Sequence, residues 1–528
     1  MGVERFVGDA AIPWMLAALL LCVPLGGARA WMETAGDWIA GSRWAPAAMG
    51  ALLASIVLLL PDRAHLTGDF MLREAAVTRA QTCATLFPQA FPLDRWIHCE
   101  VPQWLHAHAG LAVETVARLW GAVDAALLGA IAVAFARALG SRGAAALAVT
   151  CVISFSSALA LFTGYSKGIG DLVVAVVAIA AFGIEVVARG RGHLKFGIAV
   201  ALAVGFHRVG FALLPAAVMV WSEALHRHGF SRRFAIGVAL PLGVMAGLAA
   251  EAWSVFTRID RTVHLHAAVN PALARLDFAN ALLFVAPLAI AVPLLAGMRA
   301  SRRAWRSGIP IALAAAALLA LGMATQPYQG AFRDWDALAP GGIALVTCSA
   351  WILAHVVAAA APRMAVRLAL VAIVLAVIPT LDILANFHDA RGGVARVFAF
   401  VGEKPFRPVG ERAMLWDYMG MRMAQQQEWP EAAEALGRSV DLVPAPRVLA
   451  NLGLIEIQLG RYERARGRFR RIVQADPDDA IAWHGYAAAV ARLDQPDSCR
   501  LAAAQLLRLD PKDREALALM RYLDAPAK

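Results

Sequence analysis

The sequence predicts an all-α protein, a polytopic bundle of membrane helices followed by an α-solenoid of short helical repeats. Three observations carry this. Of 528 residues, 60% are hydrophobic and only 17% are charged, whereas an ordinary soluble domain is roughly a quarter charged. Apolar runs, many of about 18 residues or more and so long enough to cross a bilayer as helices, recur between Ile12 and Ala385. From about Glu411 onward the runs stop, and the chain repeats with a period near 34 residues, closed by Pro444, Pro477 and Pro511. The apolar runs do not alternate, which excludes a membrane β-barrel.

The first run, Ile12–Leu25, ends in Gly26-Gly27-Ala28-Arg29-Ala30, an A-x-A-like site. It reads as a retained helix or as a cleaved signal peptide. Arg5 is offset by Glu4, and this weak n-region favours the helix. Trp31, Trp38 and Trp44 mark an interfacial segment, because indole rings settle at headgroup depth. A second run, Ala45–Leu60, leads into Pro61–Gly110, the longest polar interruption before the repeats. Further runs cover Trp120–Leu139, Ala144–Phe162, Gly170–Ala188, Phe196–Trp221, Phe234–Trp253, Phe278–Leu295, Ile309–Met323, Gly342–Ala361 and Val366–Ala385. With about twelve membrane segments, the expected division is a membrane domain over 1–386, a linker over 387–410 and about three repeats over 411–528.

The net charge of +10 would suggest nucleic acid in a soluble protein. Here the arginines sit in short loops that contain almost no acids, such as Arg137 with Arg142, Arg227 with Arg232 and Arg233, and Arg363 with Arg367. That is the positive-inside pattern, so nucleic acid is excluded as a partner. The mixed-charge loops, Pro61–Gly110 among them, then lie on the opposite, extracytoplasmic side, and the repeats with them. The alternation requires Phe196–Trp221 to cross twice as two short helices, with His207 and Arg208 at the outer tip. The alternative is one long tilted helix with Arg208 snorkelling. Broken helices at membrane depth usually line a site.

The repeats follow the tetratricopeptide pattern. Leu452-Gly453, Ala465, Phe469 and Pro477 occupy its packing positions in the middle unit, and Trp416, Gly420, Ala432 and Pro444 do so in the first. The third has Trp483, Tyr486 and Pro511, with Cys499 at the usual alanine position and Ala503 at the usual aromatic one.

Candidate chemistry gathers on the outer loops. Asp69, in Thr67-Gly68-Asp69-Phe70, sits where a helix begins, and either caps that helix or acts as a base. Asp94 and Glu100 are secondary acids, readable equally as a cap and a surface residue. His98, His106 and His108 could suggest metal, but His106 and His108 point to different helix faces. Lys167, in Gly164-Tyr165-Ser166-Lys167-Gly168, meets a phosphate or anchors the interface. His207 and Arg208 suit a lipid phosphate. Arg333-Asp334-Trp335-Asp336 offers two carboxylates for a divalent ion or a sugar, and an indole to stack on a sugar face. Cys83 and Cys99 can pair on an oxidising side.

The order Gly68-Asp69, broken hairpin at His207-Arg208, then Arg333-Asp334-Trp335-Asp336, all on one side, resembles the GT-C superfamily of polytopic glycosyltransferases, protein O-mannosyltransferase relatives included. The resemblance covers about Ile12 to Ala385. It implies transfer of a sugar from a polyprenyl-phosphate donor to an extracytoplasmic protein, lipid or polysaccharide acceptor. It implies Asp69 as the essential loop-one carboxylate, acting as base or helping to hold Mg or Mn. It further implies a multi-pass protein of a bacterial inner membrane with periplasmic repeats that recruit acceptor or partner. Lys167 departs from the glutamate often found in that turn. The competing readings are a non-catalytic membrane scaffold for an envelope polysaccharide or secretion assembly, and a transporter or lipid-sugar polymerase.

Overall fold

The computed structural model describes residues 26–63, 65, 70–78, 82, 83, 87, 90–257, 271–288, 299–324, 335–404 and 406–524. Among these no strand occurs, so the all-α expectation holds. The chain divides at Gly393–Val394 into a membrane-like unit and a repeat unit. The first apolar run lies outside the described residues.

In the membrane-like unit, α1 (Gly26–Gly41) meets α2 (Ala45–Leu59) at 108°. Trp31, Trp38 and Trp44 are exposed, as an interfacial helix requires. The membrane helix α2 lies along α6 (Val113–Ala138). Small residues permit the close approach: a Cβ on Gly50 would meet Ala126 O at 2.7 Å, and one on Gly129 would meet Met49 O at 2.8 Å. Between them comes the lip, made of α3 (Phe70–Thr78), α4 (Pro92–Arg95), a π-turn over Trp96–Glu100 and α5 (Val101–Ala109). A Cys83–Cys99 disulfide ties the lip together.

The centre of the unit is α7 (Gly143–Ser154) and α8 (Gly168–Arg189), packed with α14 (Ala339–Ala359), all apolar and largely buried. Around them run α9 (His193–Phe206), α10 (Leu214–His228), α11 (Arg232–Thr257), α12 (Pro271–Val285), α13 (Arg299–Ala324) and α15 (Pro362–His388). Six helices among the described residues are long and apolar enough to cross a bilayer, or seven if the bent α1–α2 pair is one span; four more apolar helices are shorter.

The Phe196–Trp221 run is broken. His207 adopts extended φ −153°, ψ 142°, and a 3-10 turn over Arg208–Leu213 follows. The chain then returns. Phe196 meets Trp221 with ring centroids 5.4 Å apart, and His228 Nε2 donates to Val187 O at 3.0 Å. The start of α9 and the end of α10 therefore share one end of the bundle, with His207 and Arg208 at the opposite tip. Gly210 makes the tight turn possible, because a Cβ there would lie 2.0 Å from Ala203 O. The single tilted helix is excluded.

Basic loops gather at the end away from the lip. Arg137 donates to Ile39 O (2.8 Å) and Ser42 O (2.5 Å), and Arg189 donates to Arg137 O (3.2 Å).

The expected linker over 387–410 is not extended: α16 (Ala390–Gly402) fills most of it. The repeat unit is three helix pairs and a final helix. The pairs are α17 (Val409–Gln425) with α18 (Trp429–Leu442), α19 (Pro446–Gln458) with α20 (Tyr462–Ala475), and α21 (Ala480–Arg492) with α22 (Pro496–Leu509). The final helix is α23 (Arg514–Asp524).

Candidate active site at the lip of the bundle

Loop one is latched to the bundle by a buried ion pair. Arg73, on α3, reaches Asp94, on α4, at 3.0 Å, and their side chains are 2% and 4% exposed. The other Asp94 oxygen accepts from Gly168 N at 2.9 Å. Asp94 therefore does cap a helix, but the helix is α8, some 74 residues along the chain. Burial alone would raise the Asp94 carboxyl. Arg73, His98 and the Gly168 N–H outweigh it and hold the group below its ordinary value. The Asp94 carboxylate is thus spoken for, which corrects its reading as a spare catalytic acid.

The π-turn aims His98 inward. Its Nε2 donates to Asp171 Oδ2 at 2.7 Å, and Trp120 Nε1 donates to Asp171 Oδ1 at 2.9 Å. Asp124, one turn along α6 from Trp120, is buried beside this group. Glu100, on the outer side of the same turn, is exposed and pairs with Arg95 at 3.1 Å. It is a surface residue and leaves the candidate list. His106 and His108 are exposed and donate to Leu111 O and Trp104 O. The three histidines do not converge, and among the described residues no three His, Cys, Asp or Glu side chains are placed to hold a metal.

Two sequence-predicted residues 169 positions apart do meet: Lys167 Nζ lies 2.9 Å from Asp336 Oδ2, with Asp336 only 1% exposed. Trp335 is buried. Its ring lies 5.1 Å from Phe284, 6.2 Å from Tyr165 and 6.4 Å, stacked, from Phe387. No open face remains, so its role as a sugar platform is replaced by a packing one. The strands of chain around it are pinned by Asp62 N to Thr163 O (3.0 Å), Arg63 N to Phe387 O (3.2 Å) and His388 Nδ1 to Pro61 O (3.1 Å). Nearby, His65 holds the left-handed φ of 48°, stacks on Phe70 at 4.1 Å and donates to Glu114 at 3.2 Å. Glu114 also takes Arg118.

Asp69, Arg333 and Asp334 lie outside the described residues. Asp69 immediately precedes Phe70, the first residue of α3, whose Arg73 forms the latch.

The hairpin tip completes the site. A Cβ on Gly168 would lie 2.7 Å from the Asp94 Cβ and 3.1 Å from Phe206 O, so lip, α8 and tip touch at that glycine. His207 Nδ1 accepts from Val209 N at 3.2 Å. Burial first, then the positive Arg208, pushes the His207 imidazole down to about 3, with Asp94 opposing and Lys167 and Arg73 adding to the fall. His207 is therefore neutral at physiological pH. Arg208 differs from every other cation here. Arg73 has Asp94, Arg118 has Glu114 and Lys167 has Asp336. The Arg208 guanidinium makes no ion pair or hydrogen bond among the described residues, and its Nη1 is buried without a partner. An apolar groove of about 450 Å³ is lined by Pro92, Leu93, Leu202, Gly205, Leu240 and Leu248, and Gly205 precedes Arg208 by three residues.

The repeats show the pattern's packing. A Cβ on Gly420 would meet Leu436 at 2.5 Å, and one on Gly453 or Gly485 would meet the Phe469 ring at 2.7 or 2.2 Å. Residues 446–489 match the tetratricopeptide repeat family model. The tetratricopeptide repeats of this chain extend the match on both sides as paired helices, with Cys499 and Ala503 buried at their shifted positions.

None of the curated proteins matches the chain. Among solved structures, it is similar to ArnT from Cupriavidus metallidurans in the apo state, at 16% identity over 80% of this chain and 79% of that one, with a TM-score of 0.42. It is similar to the Arabidopsis OM64 tetratricopeptide domain at 15% identity, over 23% of this chain and all of that one, with a TM-score of 0.22. The third is the APC/C heterotetramer Cut9-Hcn1, at 11% identity over 98% of this chain and 90% of that one, with a TM-score of 0.23.

The sequence reading missed Arg73, His65, Glu114, Asp124 and Asp171. Asp124 and Asp171 carried a usable signal, since an acid inside an apolar run is a functional pointer by default.

Proposed function

We propose that the protein is an integral membrane glycosyltransferase that moves a sugar from a polyprenyl-phosphate donor to an acceptor outside the cytoplasm. The observation that supports this reading is the Arg208 guanidinium, without an ion pair among the described residues, three residues beyond Gly205 in the wall of an apolar groove. A lipid phosphate demands that combination: hydrocarbon for the chain, and a cation at its end with fork geometry for phosphate oxygens. In the transfer, a new bond forms between the acceptor oxygen and the anomeric carbon, while the bond from that carbon to the phosphate breaks. Negative charge collects on the leaving polyprenyl phosphate, where Arg208 stabilises it. Asp69 takes the proton from the acceptor hydroxyl. His207, neutral, keeps a second positive charge away from the tip and turns its Nδ1 onto backbone. The repeats, on the same extracytoplasmic side, recruit the acceptor or a partner.

The test is transfer in reconstituted vesicles with a radiolabelled polyprenyl-phosphate sugar. Asp69→Asn and Arg208→Met should each lower kcat by about two orders of magnitude or more. Arg208→Lys should restore part of the loss, because charge returns without the fork. Unchanged transfer by Asp69→Asn and Arg208→Met would remove the roles given to these two residues, and no transfer by the parent protein would remove the enzyme reading and leave the scaffold.

A further inference from the structure

A charged face of the repeat unit serves none of the chemistry above. Over residues 411–528 basic and acidic side chains balance at 17 each, but residues 446–475 hold seven arginines against two glutamates. Elsewhere in the unit four arginines are ion-paired: Arg438 with Glu434 (2.6 Å), Arg447 with Asp417, Arg500 with Asp524 (2.7 Å) and Arg508 with Asp478 (2.7 Å). On α20 and at its N-cap six arginines share two acids, Glu463 and the buried Glu456, whose charge Arg464 and Arg461 also feel. Arg466 takes Glu463 (2.7 Å) and Arg468 faces the buried Glu456 (3.7 Å). Arg461, Arg464, Arg470 and Arg471 are exposed and make no ion pair or side-chain hydrogen bond among the described residues.

Three of these join Arg468 in a stripe. Arg461, Arg464, Arg468 and Arg471 follow one another at steps of three, four and three, which places them along one side of a helix. The buried side, which the stripe flanks, is Ala465, Phe469, Ile472 and Val473. Gly467 lies between Arg464 and Arg471, three residues after one and four before the other. It is exposed, and a Cβ there would meet nothing within 4 Å. Packing gives no reason for a glycine, the weakest helix former but proline. It does leave the helix surface between Arg464 and Arg471 without a side chain.

A polyanionic surface is within reach of this stripe in every copy. The last long apolar helix ends at His388 and the repeats begin at Val409. The 20 residues 389–408 between them span at most about 70 Å even when fully extended. We propose that the Arg461–Arg464–Arg471 stripe docks on phosphate headgroups of the anionic bilayer to which the unit is tethered, with Gly467 as the seat for a headgroup. The attraction acts within roughly a Debye length, about 10 Å at 0.1 M salt, so it operates as a reversible clamp. It does not depend on the glycosyltransferase reading.

The experiment uses the full chain in nanodiscs. Gly467→Cys, in a Cys22→Ser background, gives a labelling site, since Cys151, Cys348 and Cys499 are buried and Cys83 is bonded to Cys99. A bimane label there is read against lipids spin-labelled at the headgroup. Strong quenching is expected in phosphatidylglycerol-rich discs at low salt, with little in pure phosphatidylcholine and a loss on raising salt. Each arginine contributes about fivefold to surface partition, so Arg464→Gln with Arg471→Gln should weaken docking roughly thirtyfold without touching the buried face. Equal quenching in the two lipids, no quenching in phosphatidylglycerol, or quenching that survives the double substitution would each overturn the proposal. Native digestion patterns of the variant, unchanged from the parent, exclude unfolding as the cause of a loss.

Discussion

Replacing Asp94 with asparagine removes the charge opposite Arg73 while keeping the shape that Gly168 requires. The pair is 2% and 4% exposed, so solvent screens it little. Arg73 has no other hydrogen-bond partner among the described residues: its Nε and Nη1 are buried and unsatisfied, and its guanidinium otherwise faces only the Phe87 ring at 4.9 Å. Removing one member of such a pair typically costs about 3–5 kcal/mol, because the survivor is left charged and buried. Amide exchange over 92–109 in the reconstituted protein should accelerate by about two to more than three orders of magnitude. Arg73→Met should produce a similar acceleration, and the double variant should lose less than the two singles together. The pH dependence has a fixed sign. The Asp94 pKa is lower folded than in the unfolded chain, where it takes its ordinary value of 3.8. The latch is therefore fully present above the unfolded value and is lost as pH falls through the lower folded one. Protection of the lip should hold at pH 5 and fail only below about pH 4. An Asp94→Asn cost under about 1 kcal/mol, or protection lost already near pH 6, would refute the latch.

Gly168→Ala drives a methyl into Asp94 and the Phe206 carbonyl, both under 3.2 Å away. It should cost about 1–3 kcal/mol in detergent unfolding and lower transfer more than Gly170→Ala, which meets only the flexible Phe162 ring and Leu161. Opening the Cys83–Cys99 bridge, which closes a 16-residue separation, should cost about 3 kcal/mol and expose the lip to protease. Lys167→Met leaves Asp336 buried without its cation, and should destabilise more than Asp336→Asn combined with it. Gly485→Val forces branched atoms into the Phe469 ring, already 2.2 Å from a Cβ, and should lower the thermal midpoint of the repeats by several degrees in calorimetry.

The class of this protein was legible in its sequence because hydropathy and period are one-dimensional properties. A chain that is 60% apolar, with runs of bilayer length, has few options but helices, since no water satisfies backbone groups in hydrocarbon. The tetratricopeptide repeats were equally readable, because Gly453, Ala465 and Phe469 pack within one repeat of each other. Even the break at His207 was visible, as an Arg too costly to leave inside a single span. What stayed hidden were partnerships across sequence. Asp94 reads as a cap on its own helix, and only the fold assigns it to Gly168 and Arg73. Lys167 and Asp336 look like two separate ligand groups until the bundle places them 2.9 Å apart and makes each the other's counterion. Trp335 looks like a sugar platform until Phe284 and Phe387 close over it. The lip at Pro61–Gly110 could be found by composition, but which of its charges are spent on holding it, and that Arg208 has no ion pair among the described residues, depends on distances that only tertiary packing sets. A charge reveals its role by what neutralises it, and its neighbours in space are fixed by the fold.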